Sequence, residues 1–212
     1  ALADVALDTN LVVVADEIYD RLVYTDRPYA SFPTVRPGLK DRTVIVNGVS
    51  KTYAMTGWRI GWAIAPKKAF AKAMGDLQSQ ETSNPCSISQ HAAIAAIQGP
   101  QDCVETMRQE FDKRRRYVAS RLEAIAGLSC PTMEGAFYAF VNITQHLGKT
   151  YGGVRVEHDT QWCLELLGQK GVASVMGSAF GAPGYVRFSF ATSMENLAAA
   201  MDAIEEFVHS AE

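Results

Sequence analysis

Two unbroken apolar runs constrain the fold of this chain more than any other feature of its sequence. LVVVA spans residues 11–15 and TVIV spans residues 43–46, and both are rich in β-branched side chains. Continuous rather than alternating apolar strands are typical of a mostly parallel α/β sheet that is covered on both faces. With a third apolar run at residues 60–65, the first third of the chain is predicted to form such a sheet.

Helical patterns occupy the middle of the chain. Helices are predicted over residues 66–81, where Pro66 suits a first helical position, over residues 87–98 and over residues 101–126. The last of these repeats apolar residues near heptad spacing, which indicates a stripe packed into a core. Residues 1–10 read as the end of a helix that leads directly into the first strand.

Shorter, mixed elements follow the long helix. The pattern predicts strands, a glycine-containing loop and helices at residues 136–143, 148–153, 159–170, 172–176, 185–190 and 193–210. Together these elements form a compact α+β unit. We therefore expect a domain boundary near residue 100, with residues 1–100 as one part and residues 101–212 as the other, bridged by the long helix.

The composition is that of an ordinary globular protein. Of 212 residues, 48% are hydrophobic and 20% are charged, and the formal net charge is -3. This balance gives no reason to expect nucleic acid or an anionic membrane surface as a partner. No apolar run approaches the roughly 20 residues that span a bilayer. The four cysteines are scattered without a C-x-x-C pair, which predicts a reduced, cytoplasmic protein without structural zinc.

A lysine and an arginine follow the second predicted strand. In NGVSKTYAMTGWRIGW, residues 47–62, Lys51 comes soon after the apolar run and Arg59 lies between two tryptophans. Lys51 would emerge at the carboxyl end of a strand, which is where α/β sheets bind their ligands. The alternative is that both residues are surface cations beside a loop, with their stems lying over apolar surface.

Three further polar residues adjoin or interrupt apolar strands. Asp16 follows LVVVA, and Tyr19 comes three residues later, near enough to share a pocket. A helix cap is the alternative role for Asp16, and an amphipathic rim position is the alternative for Tyr19. In YVRFSF, alternation places Arg187 with Ser189 on the side opposite the apolar face, although an ion pair on an edge strand would also explain the arginine.

These groups together specify one kind of ligand. Asp16 needs a cation, Lys51 can capture a carbonyl, Arg59 suits a phosphate and Arg187 a carboxylate. Pyridoxal phosphate (PLP) carrying an amino acid has all four parts. In order, VVVADEIYDRLVY, NGVSKTYAMTGWRIGWAIAP, SQETSNPCSISQ, GAFYAF and GSAFGAPGYVRFSFATS resemble the motifs of class I/II aminotransferases of fold type I, most closely the bacterial aspartate aminotransferase branch.

The resemblance implies a role for each of these residues. Lys51 matches the lysine that holds PLP as a Schiff base and then moves the substrate proton. Asp16 matches the aspartate that keeps the pyridine nitrogen protonated, and Tyr19 matches the tyrosine bonded to the phenolic oxygen. Arg59 matches the phosphate-binding arginine, and Arg187 the arginine that forks onto the substrate carboxylate.

Four other positions carry further correspondences. Asn84 and Pro85 resemble the loop that approaches the active site of the partner subunit, so the resemblance implies a homodimer. Gly48 departs from the branches in which a hydroxyl residue touches the phosphate. We expect Ser50, which adjoins the lysine, to make that contact instead.

The resemblance covers nearly the whole chain and implies the α/β fold of type I PLP-dependent transferases. We expect a partial large-domain sheet followed by a small α+β domain. The N-terminal arm and the phosphate-binding loop of the family have no counterpart here, so we expect the C-terminal half of an aminotransferase that converts aspartate or a related amino acid and a 2-oxo acid and is inactive by itself. One alternative is a PLP-dependent lyase of the same fold. Another is a non-catalytic fragment that self-associates through an exposed sheet edge.

Overall fold

The computed structural model describes residues 1–9 and 11–212 and divides into two compact units. Unit 1 comprises Ala1–Arg108 and unit 2 comprises Gln109–Glu212. The division falls inside the long helix α4, Asp102–Ala124. The assignment of residues 1–100 and 101–212 to the large and small domains of the family stays a prediction.

Unit 1 is built on a three-stranded sheet. Its strands are β1, Val13–Asp16, β2, Thr43–Gly48, and β3, Gly61–Ile64, in the order β1-β2-β3. The first two pair in parallel and the last two are antiparallel. The three predicted strands are confirmed, with ends shifted by at most two residues. Because β1 and β2 run in the same direction, the segments that leave their carboxyl ends start side by side.

The helices of unit 1 are α1, Leu2–Asp8, α2, Lys68–Glu81, and α3, Ser87–Gln98. Two of them, α1 and α3, contribute to small apolar clusters, whereas α2 buries no residue. One cluster joins alanines of α1 to Leu39, and another joins Val49 and Ile60 to an alanine of α3. All three helices were predicted, although the expected first helix extended to Asn10, which lies outside the described residues.

The expectation that the sheet is covered on both faces is wrong for the described residues. Val14 is 66% exposed, Ile64 is 55% exposed and Val46 is 36% exposed. Val14 and Val46 lie on the same face, because successive side chains alternate and the parallel register pairs Val14 with Val44. A continuous apolar pattern indicates that burial is favourable, but it does not show which segment provides the cover.

Unit 2 contains an antiparallel sheet, the C-terminal part of α4 and two further helices. The sheet has the order β4-β8-β7, with β4 at Tyr138–Asn142, β7 at Val175–Met176 and β8 at Tyr185–Ser189. The strands β5, Thr150–Tyr151, and β6, Val154–Arg155, form a separate two-stranded hairpin. The two further helices are α5, Asp159–Lys170, and α6, Met194–His209. The predicted strands and helices of this part are present, whereas the loop predicted at residues 148–153 contains β5 and the turn of the hairpin.

Aromatic packing fills the core of unit 2. The Trp162 ring lies edge-on to Phe207 and Phe188, at centroid distances of 5.3 and 6.3 Å. Tyr151 stacks on Phe207 at 4.3 Å. Aromatic rings bury large areas and prefer such tilted or offset contacts, so these four residues hold the hairpin, both helices and the sheet together.

A buried histidine adjoins this aromatic cluster. The His146 ring is 2% exposed, with Nδ1 2.9 Å from the Tyr151 hydroxyl and Nε2 3.1 Å from the Ala126 carbonyl oxygen. Burial lowers the pKa of His146, the Ala126 carbonyl raises it, and the nearby Lys149 lowers it. The net effect is a pKa below the ordinary value, so the folded protein holds this imidazole neutral.

We expect acid to destabilise the protein through His146. Below about pH 6.5, the pKa of an unfolded histidine, the unfolded chain binds a proton that the native side chain resists, so the free energy of unfolding decreases as the pH falls towards the lower native pKa. Above that pH this contribution is fully present. Urea unfolding at several pH values measures the slope. His146→Gln should reduce it, since His91, His158 and His209 are exposed; an unchanged slope would contradict the assignment.

Candidate active site

Lys51 and Tyr19 lie close together beyond the carboxyl ends of the two parallel strands. The Lys51 ammonium is 5.9 Å from the centroid of the Tyr19 ring. Tyr19 lies in the turn that follows β1, and Lys51 lies in the turn that follows β2. A cation within about 6 Å of a phenol ring is attracted to its face. The structure therefore brings together two of the residues that the sequence analysis assigned to the same cofactor.

A carboxylate that the sequence reasoning missed ties these two turns together. Asp20 accepts hydrogen bonds from the Asn47 side-chain amide at 3.2 Å and from the Thr52 hydroxyl at 3.4 Å. Asn47 also accepts the Gly48 N–H at 2.7 Å, which fixes its orientation. The two turns that carry Tyr19 and Lys51 are thus linked by side chains as well as by the strand pairing. The position of Asp20, one residue after Tyr19, was the sequence signal that could have indicated its place in the site.

Asp16 is the last residue of β1 and is exposed. Its Oδ1 accepts the N–H of Ile18 at 3.2 Å, a local turn bond of the kind that short acidic side chains favour. The helix-cap alternative is wrong, since a turn rather than a helix follows Asp16. Among the described residues no other hydrogen bond to the Asp16 carboxylate occurs. Its second oxygen can therefore accept a hydrogen bond from a protonated group of a ligand.

Glu17 is a second missed residue, and it has a structural role. It is 7% exposed, and its Oε1 accepts from the Ser31 hydroxyl and from the Phe32 N–H, both at 2.9 Å. Its backbone N–H extends the strand pairing by donating to the Val46 carbonyl at 2.8 Å. Buried carboxylates need such donors, so Glu17 anchors the following loop at the end of β1.

The carboxylates near the end of β1 change the pKa of Tyr29. Burial together with the charges of Glu17, Asp20 and Asp16 raises the pKa of Tyr29 to about 12. The phenol therefore stays protonated at every physiological pH. The same negative charges favour a cationic group, such as a protonated ring nitrogen, beside the end of β1.

Two facing glycines set the approach of the Arg59 segment. Gly48 pairs with Gly61 in the antiparallel register, and a Cβ on Gly48 would lie 2.8 Å from the Ile60 carbonyl oxygen. Val49 N–H also donates to that carbonyl at 3.4 Å. Gly48 therefore departs from a hydroxyl residue for a steric reason, because the neighbouring strand approaches too closely for a side chain.

Arg59 itself is exposed and adopts an unusual backbone conformation. Its φ is 53°, in the left-handed region, and its Nη1 donates to the Thr56 carbonyl at 2.9 Å. Its remaining guanidinium donors are available to an anion. Ser50 lies half-buried between the end of β2 and Lys51, whereas Asn84 and Pro85 are exposed in the connection between α2 and α3.

Arg187 lies in unit 2, on the central strand of its sheet. Val186 and Phe188, on either side of it, are buried, and Arg187 pairs in register with Phe140 of β4 and Val175 of β7. The predicted orientation is confirmed, while the edge-strand ion pair is wrong, since β8 is flanked on both sides. Among the described residues no carboxylate forms an ion pair with this guanidinium.

The residues of unit 1 fit PLP by the chemistry of their donors. An amine stands beside a phenol, a carboxylate with an uncommitted oxygen ends the adjacent strand, and an exposed arginine adjoins the same sheet end. Each of these groups matches one part of the cofactor: the aldehyde, the phenolic oxygen, the ring nitrogen and the phosphate. Within residues 1–9 and 11–212, no cluster of three or more side chains suited to a metal ion occurs.

Comparison with known proteins places the chain in a family. The family model described as aminotransferase class I and II matches residues 1–204. The chain therefore belongs to the class I and II aminotransferases, and the predicted α/β fold of type I PLP-dependent transferases is confirmed.

Its relatives are aspartate aminotransferases. The aspartate/prephenate aminotransferase of Cereibacter sphaeroides is 45% identical over 92% of this chain and 49% of its own length. The aspartate aminotransferase of Geobacillus stearothermophilus is 45% identical over 99% of this chain and 52% of its own. The crystal structure of the Rhizobium meliloti aspartate aminotransferase superposes with a TM-score of 0.93 at 42% identity, over 100% of this chain and 53% of that one. The chain spans about half the length of the relatives it matches.

In the described part of the chain, no helix has the length and apolarity to cross a membrane.

We expect Gly48→Ala to lower the free energy of unfolding by about 1–3 kcal/mol, the usual cost of forcing an atom into a packed site. The contact is with backbone, which has little room to move. Gly75→Ala is the matched control, because nothing lies within 4 Å of the added carbon there and alanine is favoured inside a helix. Chemical denaturation of both variants gives the comparison. Equal stability of Gly48→Ala and the unaltered protein would contradict the steric argument.

Proposed function

We propose that this chain forms part of a PLP-dependent aminotransferase that moves an amino group between an amino acid, aspartate or a related one, and a 2-oxo acid. The observation that carries the proposal is the Lys51 ammonium above the Tyr19 ring, beyond the carboxyl ends of two parallel strands. Membership of the aminotransferase family supports it. PLP, when bound, supplies an electron sink for the substrate Cα.

Lys51 is the proposed covalent and proton-transferring group. Its Nζ would hold the cofactor covalently through the aldehyde carbon, with water as the leaving group, and the free amine would take up the proton from the substrate Cα. Tyr19, whose ring lies 5.9 Å from the Lys51 ammonium, would orient the amine, and its hydroxyl would donate a hydrogen bond to the phenolic oxygen. The Asp20 bonds to Asn47 and Thr52 hold the two turns in place while the amine moves.

The other residues bind and orient. Asp16 holds a proton on the ring nitrogen with its uncommitted carboxylate oxygen, in a region that neighbouring acids make favourable for positive charge. Arg59 and Ser50 bind the phosphate, Arg59 through the donors that Thr56 leaves available. Arg187 binds the substrate carboxylate, for which a planar pair of N–H donors is well suited.

Transamination is favoured over the lyase alternative by the names of the relatives. A lyase of the same fold would use the same lysine and arginines, whereas the similar proteins above are called aspartate or aspartate/prephenate aminotransferases. A cytoplasmic location also belongs to the proposal and is supported by the four free cysteines.

A chimaeric enzyme tests the proposed function directly. This chain replaces the matching half of the Geobacillus stearothermophilus enzyme, to which it is 45% identical over 210 residues. We expect the chimaera to convert aspartate and 2-oxoglutarate, and Lys51→Ala to lower single-turnover conversion by more than about a thousandfold, since nucleophile and proton carrier are lost together.

The chimaera needs a matched lysine control. Lys68, at the start of α2, is exposed and outside the candidate site, so Lys68→Ala should keep both the cofactor absorbance and the rate. Retention of more than about a thousandth of the rate in Lys51→Ala would exclude the proposed double role. A chimaera that binds PLP but eliminates rather than exchanges the amino group would favour the lyase.

Self-association is a second candidate property, and the exposed sheet edge at β1 favours it. The β1 strand lies at the edge of its sheet, with Val12 56% and Val14 66% exposed. Edge strands with apolar, uncharged side chains pair readily with other chains. The family resemblance adds the proposal of a homodimer in which the exposed Asn84 and Pro85 loop approaches the partner's site.

We expect the chain by itself to be oligomeric, and Val14→Lys to shift it towards monomer, because a charge on an edge strand opposes pairing. Light scattering after size-exclusion chromatography measures the mass. Leu77→Lys, at a 61% exposed apolar position of α2, serves as the control for added charge alone. Equal mass in the two variants would show that the β1 edge is not the contact.

A further inference from the structure

The Arg187 guanidinium lies between two aromatic rings. Its central carbon is 4.3 Å from the centroid of Tyr138 and 4.5 Å from that of Phe180. Tyr138 belongs to the neighbouring strand, whereas Phe180 comes from the short 3-10 helix Gly177–Phe180 that follows β7. A guanidinium held between ring faces keeps its in-plane N–H groups directed outward, so it can still fork onto a carboxylate.

The Phe180 ring is itself supported although 49% of the residue is exposed. It lies edge-on to Phe140 at a centroid distance of 6.2 Å, and Phe140 stacks on Tyr185 at 5.1 Å. The segment ends at Gly181, whose φ is 72°, a conformation that favours glycine. Position and orientation of the ring therefore depend on how this short segment is held.

A buried carboxylate holds that segment. Asp159, the first residue of α5, is 2% exposed, and its Oδ2 accepts the backbone N–H of Ser178 at 2.7 Å. Its Oδ1 accepts the N–H of Thr160 at 2.9 Å. A buried carboxylate with two charge-assisted bonds is costly to disturb, and one of these bonds fixes the segment two residues before Phe180.

We propose that Tyr138 and Phe180 position the Arg187 guanidinium for carboxylate binding, and that Asp159 acts through the Gly177–Phe180 segment to hold Phe180 in place. Tyr138, Phe180 and Asp159 are positioning residues, and Arg187 alone contacts the carboxylate. The inference rests on the carboxylate role of Arg187 given under Proposed function. A guanidinium already immobilised loses less side-chain entropy when a carboxylate binds, so the aromatic pair increases affinity and fixes the angle of approach.

Nitrogen-15 relaxation of the Arg187 side chain tests the positioning in the 212-residue chain without any need for activity. We expect an order parameter for Arg187 Nε near about 0.85, typical of rigid groups, and values below about 0.6 in Phe180→Leu and in Asp159→Asn. The asparagine keeps the shape of Asp159 but can accept only through one oxygen, so one of the two N–H donors loses its partner. Phe180→Tyr keeps a ring and should restore the order.

Titration with succinate, against sodium chloride at equal ionic strength, tests the carboxylate role. We expect the Arg187 Nε–H resonance to shift in the unaltered chain, and succinate to bind about two- to tenfold more weakly to Phe180→Leu and Asp159→Asn, the effect of one side chain that must be immobilised on binding. Glu165→Gln is the matched control, since Glu165 lies on the same helix and pairs only with Gln169 among the described contacts.

The two readouts separate the inference from the function on which it rests. An Arg187 resonance that ignores succinate in the unaltered chain overturns the carboxylate role itself. A normal succinate shift combined with unchanged order and affinity in both variants overturns the positioning by Phe180 and Asp159. Should Asp159→Asn fail to fold, Phe180→Leu decides alone, because an exposed position tolerates the smaller side chain.

Discussion

The parallel pairing of β1 with β2 is the constraint on which the candidate site depends. Asp16, the last residue of β1, lies opposite Val46, two residues before the end of β2, so two separate turns leave the sheet at the same edge. Asp20 then links these turns through side-chain hydrogen bonds. Without this register the Lys51 amine and the Tyr19 phenol, which are distant in the sequence, would have no reason to meet. An accurate strand alignment is thus a chemical requirement as well as a structural one.

Local pattern was sufficient to predict most of the helices and strands and to nominate the candidate site residues. The helices α3 and α5 begin and end where the sequence indicated, and the alternation in β8 correctly placed Arg187 opposite the buried face. The motif resemblance nominated Lys51 and the other candidate residues, because a lysine after an apolar strand followed by a tryptophan-flanked arginine is a specific combination. These features are encoded within short stretches of the chain.

What the sequence did not reveal depends on contacts between distant segments. Glu17 and Asp20 are ordinary acids in the sequence, and only the three-dimensional pairing shows that they bind Ser31 and Thr52. The exposed side chain of Val14 contradicted the expected cover for the same reason, since an apolar residue does not indicate which segment buries it. Tertiary partners are set by the whole fold rather than by a local pattern.

The left-handed backbone of Arg59 has a consequence for how this region can evolve. A non-glycine residue with positive φ is strained by roughly 1 kcal/mol or more, and glycine would relieve that strain. A library selected only for thermal stability would therefore favour glycine at this position and discard the guanidinium. With the phosphate-binding role proposed for Arg59, selection for activity of the complete enzyme would retain the arginine in spite of its strain. The two selections would therefore recover different residues at position 59. The residue found there reports whether stability or activity was selected.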